Sequence, residues 1–184
     1  NWTELEARVW HNYGIDLREK GDEEKARVAY REAARLLELA VEQARDVGAD
    51  NEVVRDLLFY SAYLYFDIDD LAGTRRNLNT ILMKWPDDVE ALALFGQTYI
   101  REFNFNPVDE NLDVAWRGVE IFERAIELNG GTNPKYYIPD AYFYVGFVRL
   151  EDGDVETAKA YLQLAYDLYT VNSQSSIAQS RMRR

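Results

Sequence analysis

Apolar positions recur along most of the chain with the spacing of amphipathic α-helices, and glycine, proline and acidic residues interrupt them at intervals. Residues 3–20 carry one such stripe. Gly21 and Asp22 then end this first helix and begin a second, which continues unbroken to about Asp46. The further helices are predicted at 51–67, from the turn at 67–70 to Lys84, at 88–102, at 107–128, from Pro139 to about 151, and from Asp154 to about Thr170. The pattern therefore predicts eight antiparallel helices.

Several helix ends are marked by specific residues. Thr3 and Glu6 have the spacing of a capping box at the start of the first helix. Pro86 disfavours helix in the residue before it and so ends the fourth helix. Asp87 is predicted to cap the fifth helix together with Glu90.

Small residues repeat at a fixed spacing within this helical pattern. Gly14 is followed twelve residues later by Ala26 and seven residues after that by Ala33. The same count recurs, with ten extra residues in the first gap of one copy, in these three sets: Gly146, Ala158 and Ala165; Ala62, Thr74 and Ile81; Gly96, Gly118 and Ala125. Small residues where helices cross allow two backbones to approach closely, so the repeated spacing predicts a repeated helical hairpin.

These positions resemble the signature of the tetratricopeptide repeat (TPR) family, whose units are helix–turn–helix pairs of about 34 residues. The first unit matches it at Trp10, Tyr13, Gly14, Leu17, Ala26, Tyr30 and Ala33, and the last at Tyr142, Val145, Gly146, Ala158, Leu162 and Ala165. Arg149 departs from the pattern, because the family prefers tyrosine at its position. Any one copy is a weak match, but four in phase predict the fold well and say little about function.

The resemblance implies an all-α fold, a right-handed α-α superhelix of about eight antiparallel helices. One domain is expected over residues 1–184, with repeats at about 3–46, 51–85, 87–128 and 135–170 and with residues 171–184 as a C-terminal tail or cap. Two departures from the period are predicted: an extended second helix, and a ten-residue insertion at 102–111 in the third unit.

Composition narrows the function classes. The formal charge of −12 argues against nucleic acid as the main partner, because phosphates would be repelled, and it makes a basic peptide or protein face more plausible. Acidity that serves only solubility is the alternative. No apolar run approaches the length of a membrane span. The chain begins at Asn1 and contains no cysteine, so the sequence does not decide between two locations. These are the cytoplasm and, after removal of a signal segment, a bacterial cell envelope.

The sequence offers little chemistry for catalysis. It contains a single histidine, His11, and neither a nucleophile elbow, a phosphate-binding glycine loop nor a metal-binding histidine pair. Asp67, Asp69 and Asp70 faintly resemble a calcium loop, but Leu78 stands where a bidentate glutamate is required. We therefore expect neither an enzyme nor a cofactor or metal site, and we interpret 67–70 as a solvated turn.

The resemblance implies a concave binding wall made by the first helix of each pair. Carried over by position, the partner-binding residues are Arg8, His11, Ile15, Arg18, Phe59, Tyr63, Phe66, Gln97, Ile100, Phe143 and Phe147. Aromatic side chains in a groove are effective anchors, because they bury a large area at low entropic cost. The alternative is that the aromatic residues of the third helix belong to the core, because that helix is apolar almost all round.

Two functions follow from this interpretation. The first is a non-enzymatic scaffold or adaptor that binds a partner peptide or helix in an aromatic, acid-rimmed groove. Chaperone-tail recognition is disfavoured, because His11, Ile15 and Tyr63 stand where that TPR subtype needs basic or amide side chains. The second is a structural subunit that self-associates, or docks into a larger complex, through its ends or through a docking loop that carries Phe103 and Phe105.

Overall fold

The computed structural model describes residues 2–105, 112–130 and 137–171. Within these residues the chain is entirely helical apart from turns. The helices are α1 (Trp2–Glu19), α2 (Glu23–Asp46), α3 (Asn51–Asp67), α4 (Leu71–Lys84), α5 (Val89–Phe105), α6 (Leu112–Asn129), α7 (Tyr137–Glu151) and α8 (Val155–Val171). The all-α prediction is confirmed, and α3 has the bounds that the pattern predicts.

The chain divides into two compact units, Asn1–Pro86 and Asp87–Arg184. In the first unit, α1 packs against α2, α2 against α3, and α3 against α4. In the second unit, α5 packs against α6, α6 against α7, and α7 against α8, and α5 also contacts α7 directly. Each unit therefore consists of consecutive helical hairpins. The single-domain interpretation of the sequence stays a prediction.

The small residues predicted from the spacing lie at the helix crossings of the first unit. Ala26, Ala33 and Ala62 are fully buried. A Cβ atom added to Gly14 would come within 2.6 Å of the Tyr30 ring, so α1 and α2 cross at a distance that only glycine permits. A side chain at position 14 would have to displace a buried ring, which explains why the first hairpin needs glycine there.

The same arrangement builds the second unit, where the backbones come closer still. An added Cβ on Gly118 would lie 3.0 Å from the Gly96 carbonyl oxygen and 2.9 Å from Ile100 Cδ1. Phe122, one turn after Gly118, is completely buried and stacks on Tyr144 with ring centroids 5.6 Å apart. The α5–α6 crossing is thus a close backbone contact, with a large aromatic ring filling the adjacent space.

A buried polar chain fixes the relative position of three helices in the first unit. Asn77 of α4 donates a hydrogen bond to the hydroxyl of Ser61 of α3 at 2.9 Å, and Ser61 donates to the carbonyl oxygen of Ala34 of α2 at 3.0 Å. Both side chains are buried. Because an unmatched buried polar group is costly, these two hydrogen bonds favour the observed relative position of α2, α3 and α4 over positions shifted along the helix axes.

Two of the predicted helix caps differ from the expectation. Thr3 lies inside α1, where its hydroxyl donates to Gln43 Oε1 at 2.9 Å, so it does not cap the helix. The cap of α5 is Asp88 rather than Asp87, because the Asp88 carboxylate accepts from the backbone N–H of Ala91 at 2.9 Å. The carboxylate of Asp87 instead pairs with Arg124 at 2.8 Å.

The predicted docking loop is corrected at Phe103. This residue lies within α5 and is buried, because the helix continues to Phe105 instead of ending near 102. The predicted insertion at 102–111 therefore begins as an extension of a helix. The Phe105 side chain and residues 106–111 lie outside the described part of the chain, as do residues 172–184 of the predicted tail.

Candidate binding face of the first unit

One face of the first unit combines aromatic, apolar and charged side chains from α1 and α3, and we call it the α1–α3 face. From α1 it includes His11, Ile15 and Arg18, whose spacing places them on one side of a helix. From α3 it includes Phe59, Tyr60, Tyr63 and Asp67. Five of these seven residues are predicted from the sequence, whereas Tyr60 and Asp67 are not predicted as parts of the face. The aromatic crowding of α3 was the available signal for Tyr60.

The imidazole of His11 is held by two tyrosines. Its Nδ1 is hydrogen-bonded to the hydroxyl of Tyr60, and its ring packs edge-on against the Tyr60 ring with centroids 5.5 Å apart. The Tyr30 ring of α2 lies 5.6 Å from the imidazole on another side. Burial lowers the pKa of His11 below its ordinary value of 6.5, and burial raises the pKa of Tyr60. At pH 7 the histidine is therefore predominantly neutral.

Arg18 of α1 contacts side chains of both α2 and α3. Its Nη1 donates to Asp67 of α3 at 2.7 Å, and its guanidinium lies 4.6 Å from the centroid of the Tyr30 ring. It also pairs with Glu23 at 3.3 Å. Burial alone would lower the pKa of Arg18, but its hydrogen bond to Asp67 and the charge of that carboxylate raise it. The cation is thus held in place by two carboxylates and one ring.

The apolar part of the α1–α3 face is open to solvent. Tyr63 is 39% exposed, Ile15 is similarly exposed, and Phe59 is half-buried beneath the guanidinium of Arg55, which lies 4.9 Å from its ring centroid. Arg55 in turn pairs with the exposed carboxylate of Asp56 at 3.0 Å. An apolar strip with charged groups at its edge is the composition of many protein-binding surfaces.

Two other residues of the predicted wall behave differently in the first unit. Arg8 is exposed and pairs with Glu4 one turn earlier on α1, at 2.8 Å. Phe66 is buried, so it belongs to the core and cannot contact a partner in this structure. The alternative that the aromatic residues of α3 are core residues thus applies to Phe66 and not to Tyr63.

In the second unit the predicted wall residues of α5 and those of α7 differ in their exposure to solvent. Gln97 and Ile100 of α5 are buried, and Ile100 packs against Gly118 of α6. We therefore correct the expectation that these two residues face a partner. Phe143 of α7 is 44% exposed and Phe147 is half-buried, so α7 does present aromatic surface.

The acidic turn between α3 and α4 is explained by contacts within the protein. Asp67 pairs with Arg18, and Asp69, at a positive φ of 63°, pairs with Arg27 at 2.8 Å. Asp70 caps α4 by accepting from the Gly73 N–H at 2.9 Å. Among the described residues, no group of three or more histidine, cysteine, aspartate or glutamate side chains is arranged to hold a metal ion.

Arg149 shows how the last hairpin accommodates its departure from the repeat pattern. Its guanidinium lies 5.1 Å from the Trp116 ring centroid and 5.8 Å from that of Tyr161. Its Nη2 donates to Glu123 at 2.7 Å. Its Nη1 also pairs with Asp154 at 3.5 Å, so the cation is bound by two aromatic rings and two carboxylates of the second unit, much as Arg18 is bound in the first.

A solved structure of a TPR protein supports the assignment of the fold. A thermophilic TPR protein of Thermus thermophilus, TTC0263, is 16% identical; the match covers 88% of this chain and 74% of that chain, with a TM-score of 0.59. MamA residues 41 to the end, from Desulfovibrio magneticus RS-1, are 18% identical, with 93% and 98% of the two chains covered and a TM-score of 0.45. No protein-family model and no curated protein matches the sequence.

The chain therefore has the tetratricopeptide-repeat fold, as the sequence resemblance implies. At this level of identity the similarity describes the fold alone, so function has to be argued from the surfaces of this chain. None of the helices in the described ranges has both the length and the apolar character of a membrane span.

Because His11 is the chain's only histidine, its titration can be followed directly by NMR. We expect a midpoint below 6.5, because burial disfavours the imidazolium. Asp67→Asn should lower the midpoint further, since Asp67 raises it, and Arg18→Gln should raise it. The free energy of unfolding should fall as the pH drops from 6.5 towards the folded midpoint, because unfolded His11 binds its proton at a higher pH than folded His11. A midpoint above 6.5 would contradict this account.

Proposed function

We propose that this protein is a non-enzymatic protein–protein interaction module that binds a partner peptide or helix on the α1–α3 face of its first unit. Tyr63, Ile15 and Phe59 are the apolar anchors. Arg18, Asp67 and Asp56 are the charged groups around them. The TPR fold is consistent with this function, and the repeat architecture supplies neighbouring helices on which such a face can be built.

The observation that carries the proposal is the exposure of aromatic surface beside a fixed polar frame. His11 is bonded to Tyr60 and Arg18 to Asp67, so two separate contacts hold α1 against α3 without a partner. Tyr63, between these contacts on α3, stays 39% exposed. A preorganised face loses little conformational freedom on binding, which favours affinity.

Charge favours a partner with basic residues. The chain carries 33 acidic and 21 basic residues, and Arg18 of the α1–α3 face and the neighbouring Arg55 are already paired with carboxylates. Asp56 is paired with Arg55 through Oδ1, and its exposed carboxylate has the capacity to accept a further hydrogen bond from a partner's lysine or arginine. Such contacts at the edge of an interface are screened by salt, so the association should weaken as ionic strength rises.

The test is a selection of helical peptides from a random phage-displayed library against the immobilised protein. The affinity of the best peptide is then measured by fluorescence anisotropy. We expect Tyr63→Ala and Phe59→Ala each to weaken binding by about tenfold or more, in the range of interface hot spots. Neither side chain is fully buried, so the variants should remain folded by circular dichroism.

Tyr166→Ala is the matched control, because Tyr166 is an exposed tyrosine on α8 in the other unit. It should leave the affinity unchanged. A selected peptide that binds Tyr63→Ala and Phe59→Ala as tightly as the unaltered protein would remove the α1–α3 face from the proposal.

A second function, assembly with further copies of the chain, is favoured by the opposite side of α1. Trp2 and Val9 are 80% and 61% exposed there, and Leu5 and Tyr13 continue the stripe at helical spacing. The positions 48 residues later on α3 that correspond to Val9 and Tyr13 are Leu57 and Ser61, which are buried, and Ser61 is bonded to α2. The equivalent positions of α3 are therefore covered by neighbouring helices. Those of α1 are exposed within the described part of the chain.

Light scattering behind size exclusion distinguishes the two functions. Assembly through α1 predicts a mass that rises above 21.4 kDa with protein concentration and returns to 21.4 kDa in Val9→Glu. A constant mass of 21.4 kDa would exclude self-assembly through this stripe and leave the α1–α3 face as the proposed site.

A further inference from the structure

A cavity of about 250 Å³ lies in the first unit at the place where α2 ends, α3 begins and α4 ends. It is separate from the α1–α3 face, since the two share no residue. Arg45, which lines it, stands in the last turn of α2, and α2 has 24 residues against the 14 of α4. The cavity is thus built partly from the helix that departs most from the repeat period.

The inner wall of the cavity is apolar. Val54 and Leu58 of α3 are both buried and form one side, and the half-buried indole of Trp85 lines another. Ligand pockets for drug-sized molecules have volumes of roughly 300–1,000 Å³. A cavity of about 250 Å³ therefore suits a compact apolar group, of the size of an amino-acid side chain.

The polar groups that line the cavity are mainly hydrogen-bond donors. Lys84 donates to Asn51 Oδ1, which leaves the Asn51 amide NH₂ as a donor, and Lys84 keeps two further donors. Its ammonium lies 5.1 Å from the Trp85 ring centroid. Arg45 adds a guanidinium. The Thr80 hydroxyl already donates its proton to the Arg76 carbonyl oxygen at 3.0 Å.

The charge of this lining contrasts with that of the whole chain. Two of the described lining residues are cationic and none is acidic, in a protein that carries 33 acidic residues and a net charge of −12. Donors and cations beside an apolar wall match a carboxylate attached to an apolar body. The net negative charge of the protein disfavours a ligand with several negative charges.

We propose that this cavity binds a compact apolar group that carries a single carboxylate. The apolar group lies against Val54, Leu58 and Trp85, and the carboxylate accepts hydrogen bonds from Arg45 and Lys84. The inference does not depend on the proposed function, because no residue of the α1–α3 face takes part in it.

The test uses three probes and the whole chain, with binding followed by NMR at the Trp85 indole N–H and the Gly48 and Ala49 amides. The probes are 3-phenylpropanoate, its uncharged analogue 3-phenylpropanamide, and the peptide acetyl-Phe-Asp-amide. We expect saturable shifts with 3-phenylpropanoate and at least about tenfold weaker binding of the amide, as loss of a charge-assisted hydrogen bond implies. The peptide distinguishes the source: tighter binding than the free acid indicates a partner's acidic–apolar segment, and weaker binding indicates a small acid.

Three substitutions complete the test. Arg45→Gln and Lys84→Gln should each weaken 3-phenylpropanoate binding severalfold and leave amide binding unchanged, because each removes a cation and keeps the apolar wall. Both side chains are exposed, so folding should not be affected. Lys20→Gln, at an exposed lysine just after α1, is the control and should have no effect. Equal binding of acid and amide, unchanged binding in both cavity variants, or an absence of saturable shifts would each overturn the proposal.

Discussion

Phe122→Ala should destabilise the second unit by about 3–5 kcal/mol, the usual cost of deleting a buried phenylalanine ring. Phe122 has no exposed surface, stacks on Tyr144 of α7, and occupies the space beside Gly96 of α5. Alanine would leave a cavity at the junction of three helices. Because α5 and α6 already approach at glycine distances, they have little room to collapse into it. Urea unfolding should show a lower transition midpoint.

Phe143→Ala is the matched control for this prediction. Phe143 lies on α7, next in sequence to Tyr144, and is 44% exposed, so its truncation should cost less than about 1 kcal/mol. Amide hydrogen exchange, measured peptide by peptide, shows which unit loses stability. Protection should fall in α5, α6 and α7 and remain in α1 to α4. A similar loss for both variants would show that the ring of Phe122 is not the centre of this core.

The fold was largely predictable because its determinants are local. The spacing of Gly14, Ala26 and Ala33 identifies a helix crossing directly, since only small residues allow it, and these residues do lie at crossings. Turn signals such as Gly21, with φ of 81°, are equally local. The end of α5 was misplaced although its pattern continues: Phe103 follows Ile100 and Gly96 at helical spacing and is buried with them.

The candidate face was less predictable because exposure depends on neighbouring helices. Carrying positions over between repeats treats Tyr63 and Gln97 as equivalent, since each follows a small residue at a crossing. Tyr63 is 39% exposed, whereas Gln97 is buried, and α5 packs against both α6 and α7. The pairing of Arg18 with Asp67, 49 residues apart, is also a product of packing that sequence spacing does not reveal.

The small-residue spacing leads to the second large effect: Gly118→Val should destabilise the second unit by about 3 kcal/mol or more, at the upper end of overpacking costs. Replacing glycine inside a helix normally favours the helix, by up to about 1 kcal/mol for alanine. Here the new Cβ would stand 3.0 Å from the Gly96 carbonyl oxygen, a backbone atom that cannot rotate away. The two helices would therefore have to separate, and Phe122 would lose its contacts.

Gly118→Ala separates the steric effect from the effect on helix propensity. Its Cβ meets the same carbonyl oxygen, so we expect a smaller loss of about 1–2 kcal/mol despite the gain in propensity. Glu120→Ala, an exposed change to alanine on the same helix, should be near neutral. Urea unfolding of the three variants gives the comparison. If Gly118→Ala stabilised the protein, α5 and α6 would not be in close backbone contact, and the spacing of small residues would have to reflect turn geometry rather than helix crossings.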